Sequence, residues 1–469
     1  MSHGKSPLQK INDEWLDLDA WVGWIGEWGV SRGMFLMTLF AGLYIFLGQL
    51  IPSLPLFTFN WLFGTAPIWV PISLFIGFWR VWVWYSQSLF LSGRNPVLLE
   101  MKVPRDIYKS PRAMEICFSL FSISSGETTF IHRGWKGQVR PFFSFEIASF
   151  GGELHFFIWC WKNYQNEVES AIYGQYPEVE LHVVEDYATK FDFDPKIHSI
   201  YCTDWRLESY HGPSNDSFAI NAYQPKSYID FELDKDPKEE FKIDPLSTVL
   251  EFMSNIEPQE QIWAQIVIRK CGNLGVLFQQ EQDHDWIHMV EHEVEKIRTR
   301  AAIMDKDVVS ELGVGKDERQ PQPRATWMQQ EQMKTLQRHL GKYPFEIGAR
   351  GCYITTGHMH GPTYTGTRWL WKPIGNPHYA AHFRPRRWHN PFDYPWQDLH
   401  DFRWNLTARR FLDAYRRRIF HHSPWITPTN IVTNETLATM WHPPSRTSST
   451  PGLQRIPATK APAPPNLPT

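Results

Sequence analysis

Between residues 366 and 422 the chain carries eleven Lys and Arg against four Asp, interleaved with Trp, Phe and Tyr. Arg384, Arg386 and Arg387 lie beside Trp388, and Arg409-Arg410 and Arg416-Arg417-Arg418 flank Phe411 and Tyr415 on an expected helix. Guanidinium groups track phosphates while aromatic rings stack on bases, so this stretch is a candidate surface for nucleic acid. The same cations suit anionic lipid. They also suit a solvated helix face paired with acidic residues elsewhere. The sequence leaves these alternatives open.

Other groupings carry less chemistry. His284, His288 and His292 recur at i, i+4 and i+8 and share a helix face, as metal ligands can. In a segment this rich in Glu, the pattern reads as a polar helix surface, and no metal site is expected. His292-Glu293 is followed by Val294-Glu295-Lys296, so H-E-x-x-H is absent. There is no G-x-S-x-G elbow. Gly4-Lys5-Ser6 has no preceding strand, and Gly315-Lys316 is followed by Asp317. A phosphate cradle needs its glycines and Lys between strand and helix, so that backbone amides converge on the nucleotide. The chain therefore reads as non-enzymatic, with no catalytic residues and no cofactor. Its five cysteines, Cys117, Cys160, Cys202, Cys271 and Cys352, are scattered singly, which fits a reducing compartment.

Two apolar runs must position whatever surface the chain presents. Residues 34–52 contain no charge, and residues 66–91 are interrupted by Arg80 and bent at Pro71. Each approaches the length needed for a ~30 Å hydrocarbon core. They are expected to form a transmembrane hairpin over residues 34–93, joined by a loop at 53–65. Arg80 would reach the membrane interface among Trp79, Trp82 and Trp84. Lys5, Lys10 and Arg32 precede the hairpin, and Arg94, Lys102, Arg105 and Lys109 follow it, while the connecting loop has none. The positive-inside rule then places both termini in the cytoplasm and the protein in the cell membrane. Residues 1–33 read as an amphipathic segment, with Trp15, Leu18, Trp21, Ile25 and Trp28 at helical spacing.

Beyond Pro96 the pattern is α+β. A strand at 98–104 precedes a helix from Ser110-Pro111 to about Ser122. Aromatic strands at 142–150 and 153–161 are joined by Gly151-Gly152, a strong hairpin signal. A helix at 164–175 and a strand at 178–186 complete a βαββαβ order, the ferredoxin-like arrangement, over residues 96–190. Residues 191–365 read as a second α+β unit with further strands at 199–233, 260–269 and 344–356. Residues 366–441 are the basic aromatic region. Residues 442–469, with eight prolines, read as a disordered tail.

Several stretches resemble one family. They are Ser110–Glu115 (SPRAME), FFSFEIASFGGELHFFIW at 142–159, AIYGQYPEVELHVVEDY at 171–187, DPLSTVLEFMSNIEPQEQIWAQIVIR at 244–269, TNETLATMWHPP at 433–444 and LQRIPATKAPAPPNLP at 453–468. The chain from about residue 96 resembles the membrane-anchored N-terminal region of type IV secretion and conjugation DNA-translocating ATPases, more weakly across 300–430. In those relatives a Pro-rich linker leads into the P-loop motor. No position here matches a nucleotide-binding residue. The resemblance implies a membrane-anchored component of a type IV secretion or conjugation-like system, probing assembly roles: oligomerising with its own kind and docking a P-loop ATPase supplied in trans. A membrane-tethered DNA-binding module using residues 366–422 is the alternative.

Overall fold

The computed structural model describes residues 32–104, 107, 109–123, 129–208, 222–231, 244–271, 286–311, 325–376, 381–387, 396, 398–422, 425–427, 429–445, 450 and 452–456. The expected amphipathic segment thus lies outside the described residues, except for its last two. The chain divides into two compact units, Met1–Val81 with Asn390–Thr407, and Trp82–His389 with Ala408–Thr469.

Helix α1 (Arg32–Leu50) lies in the first unit and is followed, after only residues 51–53, by α2 (Leu54–Ser92), whose residues from Trp82 on belong to the second. The loop expected at 53–65 is instead helix: nothing from Leu54 onward stops a helix until Pro67 and Pro71, and both are accommodated inside α2. Tyr44 Oη and Thr58 Oγ1 are 2.6 Å apart, and the position of a Cβ on Gly48 lies 3.5 Å from Pro55. α2 has 39 residues and is long and apolar enough to cross a membrane. It is free of charge from Leu54 to Trp79, a rise of about 39 Å.

In the second unit every named strand joins one antiparallel sheet. The strands are β1 (Pro96–Lys102), β2 (Phe142–Phe150), β3 (Glu153–Trp161), β4 (Glu180–Val184), β5 (His198–Glu208), β6 (Glu260–Lys270), β7 (Pro344–Thr356), β8 (His382–Arg387) and β9 (Asn430–Thr433). Their order is β4-β1-β3-β2-β6-β7-β5-β8, with β9 on β7. The first four strands and the next four repeat one pattern. In each, the fourth strand is outermost, then the first, the third and the second, so β2 meets β6 at the centre. The boundaries expected near residues 190 and 365 therefore fall inside one sheet: backbone pairing of β2 with β6, and of β8 with β5, continues across them.

The helices follow from spacing and caps. α3 (Arg112–Leu120) and α4 (Gln165–Gln175) lie within the first half, and the short α5 (Tyr187–Lys190) is capped by Asp186. α6 (Pro245–Ser254) starts where Asp244 accepts from Leu246 N, with Pro245 in the first turn, where its missing N–H is no loss. α7 (Trp286–Glu311) and α8 (Trp327–Leu340) interrupt the β6–β7 connection, and α8 opens with a capping box between Thr326 and Gln329. α9 (Gly361–Arg368), α10 (Phe402–Arg416) and α11 (Asn434–Met440) complete the set.

Both faces of the sheet are covered, which is why β2 and β3 read as aromatic runs without clean polar alternation. Phe143, Phe145, Ile147, Ile158, Ile266 and Ile347 pack with apolar residues of α3, α4, α6, α7, α8 and α11. Phe142, Trp159, Trp263 and Cys352 pack on the other face with Ala408, Phe411, Leu412 and Tyr415 of α10 and with Phe420. All five cysteines are buried, and no disulfide joins them.

The segment from His442, expected as a disordered tail, is packed in its described residues. His442, Pro443 and Pro444 are buried, and Leu453 forms a bridge to Leu154 while Ile456 bridges Pro104. Gly452 allows this close approach, because a Cβ there would lie 1.9 Å from the Gly152 carbonyl oxygen.

Candidate functional site

The sheet's polar residues gather on the α10 face, at the junction of its two halves. Glu146 on β2 is fully buried. Its Oε1 accepts from Ser144 Oγ at 2.7 Å, Gln265 Nε2 at 3.0 Å and Arg418 Nε at 3.0 Å. Its Oε2 accepts from Tyr187 Oη at 2.7 Å and Arg418 Nη2 at 3.2 Å. Tyr187 and Tyr415 hydroxyls are 2.8 Å apart. Arg418, also fully buried, pairs with Asp186 as well and donates to the Arg416 carbonyl at 2.7 Å. The chain reaches this arrangement through a left-handed backbone at Arg418, φ 53°, an uncommon conformation for a residue other than Gly.

An isolated buried charge would be prohibitive, so the network stands only because nearly every lone pair and N–H is used. Burial pushes the Glu146 carboxyl up, but Arg418, Ser144 and Tyr187 outweigh it and hold the group below the ordinary carboxylate range. Burial, with Glu146 beside them, pushes the Tyr187 and Tyr415 hydroxyls well above theirs. None of the three changes charge near neutrality. The geometry fastens the end of α10 to the sheet.

Beside it, Arg350 on β7 is fully buried, with Nε 3.5 Å from Asp204 on β5. Its guanidinium lies 4.7 Å from the Phe420 ring centre and 5.7 Å from that of Phe411. Arg269 and Glu346 form a third buried pair, Nε to Oε2 2.6 Å.

The opposite face holds a second network. Lys342 Nζ contacts Glu115 at 2.5 Å and Glu435 at 3.5 Å. Arg338 contacts Glu435 at 3.2 Å and Asp230 at 2.8 Å, and the Tyr228 hydroxyl donates to Glu115. Glu115 and Glu435 come from stretches 320 residues apart, and only the fold joins them.

The eight candidate arginines do not form one surface. Arg418 is the buried lock, and its guanidinium is consumed by Glu146 and Asp186. Arg416 donates to the backbone carbonyls of Ala188 and Phe191. Arg418, two residues past α10, is buried and out of reach of a phosphate, and Arg416, the last residue of α10, is half-buried. Arg417 pairs with Asp413 at 2.8 Å and Arg384 with Glu208 at 2.7 Å, both largely exposed. Arg386 and Arg387 occupy β8 positions opposite Asp204 and Thr203. Arg409 and Arg410 are exposed on α10. Arg409, Leu412 and Arg416 line an open cleft of about 500 Å3 with Asp192, Phe193, Asp194 and Pro195. The two aspartates there oppose a simple anion site.

Arg80 is exposed on α2, directly after its charge-free stretch. Trp79 and Trp82 are half-buried and Trp84 is exposed. Trp82 packs edge-on against Trp135, ring centres 5.5 Å apart. His288 and His292 are exposed on α7, and His284 lies outside the described residues. Among the described residues no three His, Cys, Asp or Glu side chains converge as metal ligands. Sequence reasoning missed Glu146, Asp186, Glu115 and Glu435, though a lone Glu inside an aromatic strand was a usable signal for the first.

Compared with known proteins, the chain matches no family model and no curated protein.

Proposed function

We propose that the protein is a non-enzymatic, membrane-anchored platform that mediates assembly and docking of a separate ATPase in a type IV secretion or conjugation-like system. The observation that carries the anchoring is α2. One continuous helix offers a charge-free stretch longer than the ~30 Å a bilayer core requires. It then continues through Trp82–Ser92, where Ser86 is buried and Phe90 packs on Trp161 at 6.1 Å. Such a helix would anchor the chain in a bilayer. In this proposal α1 pairs with α2 as a transmembrane hairpin, and both termini are cytoplasmic because Lys and Arg flank the pair on the outside only.

The body is read as two ferredoxin-like βαββαβ units fused edge to edge, supported by the repeated strand order. Function does not follow from that fold alone. The partner class, a P-loop ATPase in trans, and self-association come from the family resemblance, whose stretches fall in β2–β4, α6–β6 and α11. Purification of the full chain in mild detergent tests both. Recovery of an oligomer with a P-loop ATPase is expected. A strict monomer with no ATPase partner, or release from membranes by alkaline carbonate, would overturn the proposal.

A second reading is favoured by the exposure of Arg409 and Arg410 in the middle of α10: a membrane-tethered nucleic-acid-binding module using the basic aromatic region 366–422.

A further inference from the structure

Outside the networks above, one surface stands out: the turn Phe130–Lys136, FIHRGWK. Ile131 is 57% exposed, Trp135 48% and Phe130 36%, values that would leave three large apolar side chains in water. Lys136 is exposed beside them, and His132 and Arg133 are half-buried. The turn is not loose. Lys136 N donates to Ile131 O at 2.9 Å and Gln138 N to His132 O at 2.8 Å.

The turn is fastened to α2 just past Arg80. Trp135 packs on Trp82, and Gly137 presses against the backbone of Ser86. A Cβ on Gly137 would lie 2.2 Å from the Ser86 carbonyl carbon, and its φ of +61° further demands glycine. Trp82 is two residues beyond Arg80 and Ser86 six, a rise of about 3 to 9 Å along the helix. That is the depth of a headgroup layer next to a span ending near Trp79. Trp84, 45% exposed, and Tyr85, 56% exposed, occupy the same turns of α2. Indole rings with adjacent cations are what headgroup layers favour, and exposed aliphatic side chains enter the acyl boundary.

We infer that Phe130–Lys136 is a second membrane contact, seating Ile131 and Trp135 among lipid headgroups and Lys136 against anionic phosphate. It rests on the membrane reading of α2 and adds a peripheral foot that fixes the sheet unit against the bilayer surface.

The test uses the full chain in proteoliposomes. Because the native cysteines are buried, Ile131→Cys accepts a fluorophore selectively, and Glu251→Cys on α6 serves as an exposed control. Nitroxide-labelled lipid should quench the Ile131→Cys label several-fold more than the control. Raising the fraction of anionic lipid should increase that quenching, and Lys136→Glu should abolish the increase. A label at 131 as water-accessible as the control, on protein that floats with the vesicles, overturns the inference alone. Protein that fails to float overturns the membrane reading together with it.

Discussion

Glu146 and Gln265 face each other at the midpoint of the β2–β6 pair, and Gln265 Nε2 donates to Glu146 Oε1 at 3.0 Å. Each belongs to the second strand of its half, so the two occupy corresponding places where the halves meet. One carries charge and the other does not. Two carboxylates there would repel at low dielectric and need two cations; one carboxylate and one amide need only Arg418. Of the two arginines that follow α10, Arg418 is thereby committed to the seam, while Arg417 pairs with Asp413.

Arg418→Met should destabilise the protein by about 3–5 kcal/mol, because it strands a buried carboxylate. Adding Glu146→Gln should recover a large part of the loss. Thermal unfolding of the detergent-solubilised chain, followed by near-UV circular dichroism, checks this. A single variant as stable as the parent would remove the lock.

Gly348→Ala should cost about 1–3 kcal/mol. Its Cβ would lie 2.1 Å from the Phe420 ring, so the ring must leave its place over Arg350. Gly341→Ala, where nothing lies within 4 Å, is the matched control. Denaturant midpoints for the two should separate clearly.

Stability should fall as pH drops below about 6.5, the ordinary histidine value. Burial holds His339 and His422 at about 3 and His421 well below its usual range. Below pH 6.5 the unfolded chain takes up protons that folded His339 and His422 refuse until near pH 3, and that folded His421 also refuses. Each contributes a slope of up to about 1.4 kcal/mol per pH unit in that window. His422→Phe should flatten the curve of Tm against pH between 6.5 and 4; an unchanged curve would count against it.

If single-stranded DNA binds, Arg409→Glu with Arg410→Glu should weaken it strongly and lower its salt dependence by about one to two units of slope. Arg417→Glu should weaken it less, since Asp413 already holds that guanidinium. Filter binding across a salt series, with folding verified by circular dichroism, would sink this reading if the double variant bound normally.

The elements whose signals are local were legible in the sequence. Gly151-Gly152 with φ of 57° and 93° makes the β2–β3 turn as its spacing predicts, and Pro344–Thr356 is a strand over its expected range. What depends on distant partners was not. A run of arginines looks alike whether it faces water or a buried carboxylate, and only the sheet brings Glu146 within 3.0 Å of Arg418. Likewise the strands expected across 199–233 reduce, among the described residues, to β5, since propensity does not say which segment finds a paired edge. The doubled strand order has no matching repeat in the residues, because a pattern of pairing constrains side-chain size and polarity far more loosely than identity.

The meeting of β2 and β6 also governs how the molecule is made. During synthesis β2 emerges more than a hundred residues before β6, so its outer edge waits unpaired. Exposed edges of this kind recruit other chains. Arg418 arrives later still, which makes closure of the seam one of the last acts of folding. A ribosome paused between Phe150 and Glu260 would therefore hold a nascent chain prone to aggregate.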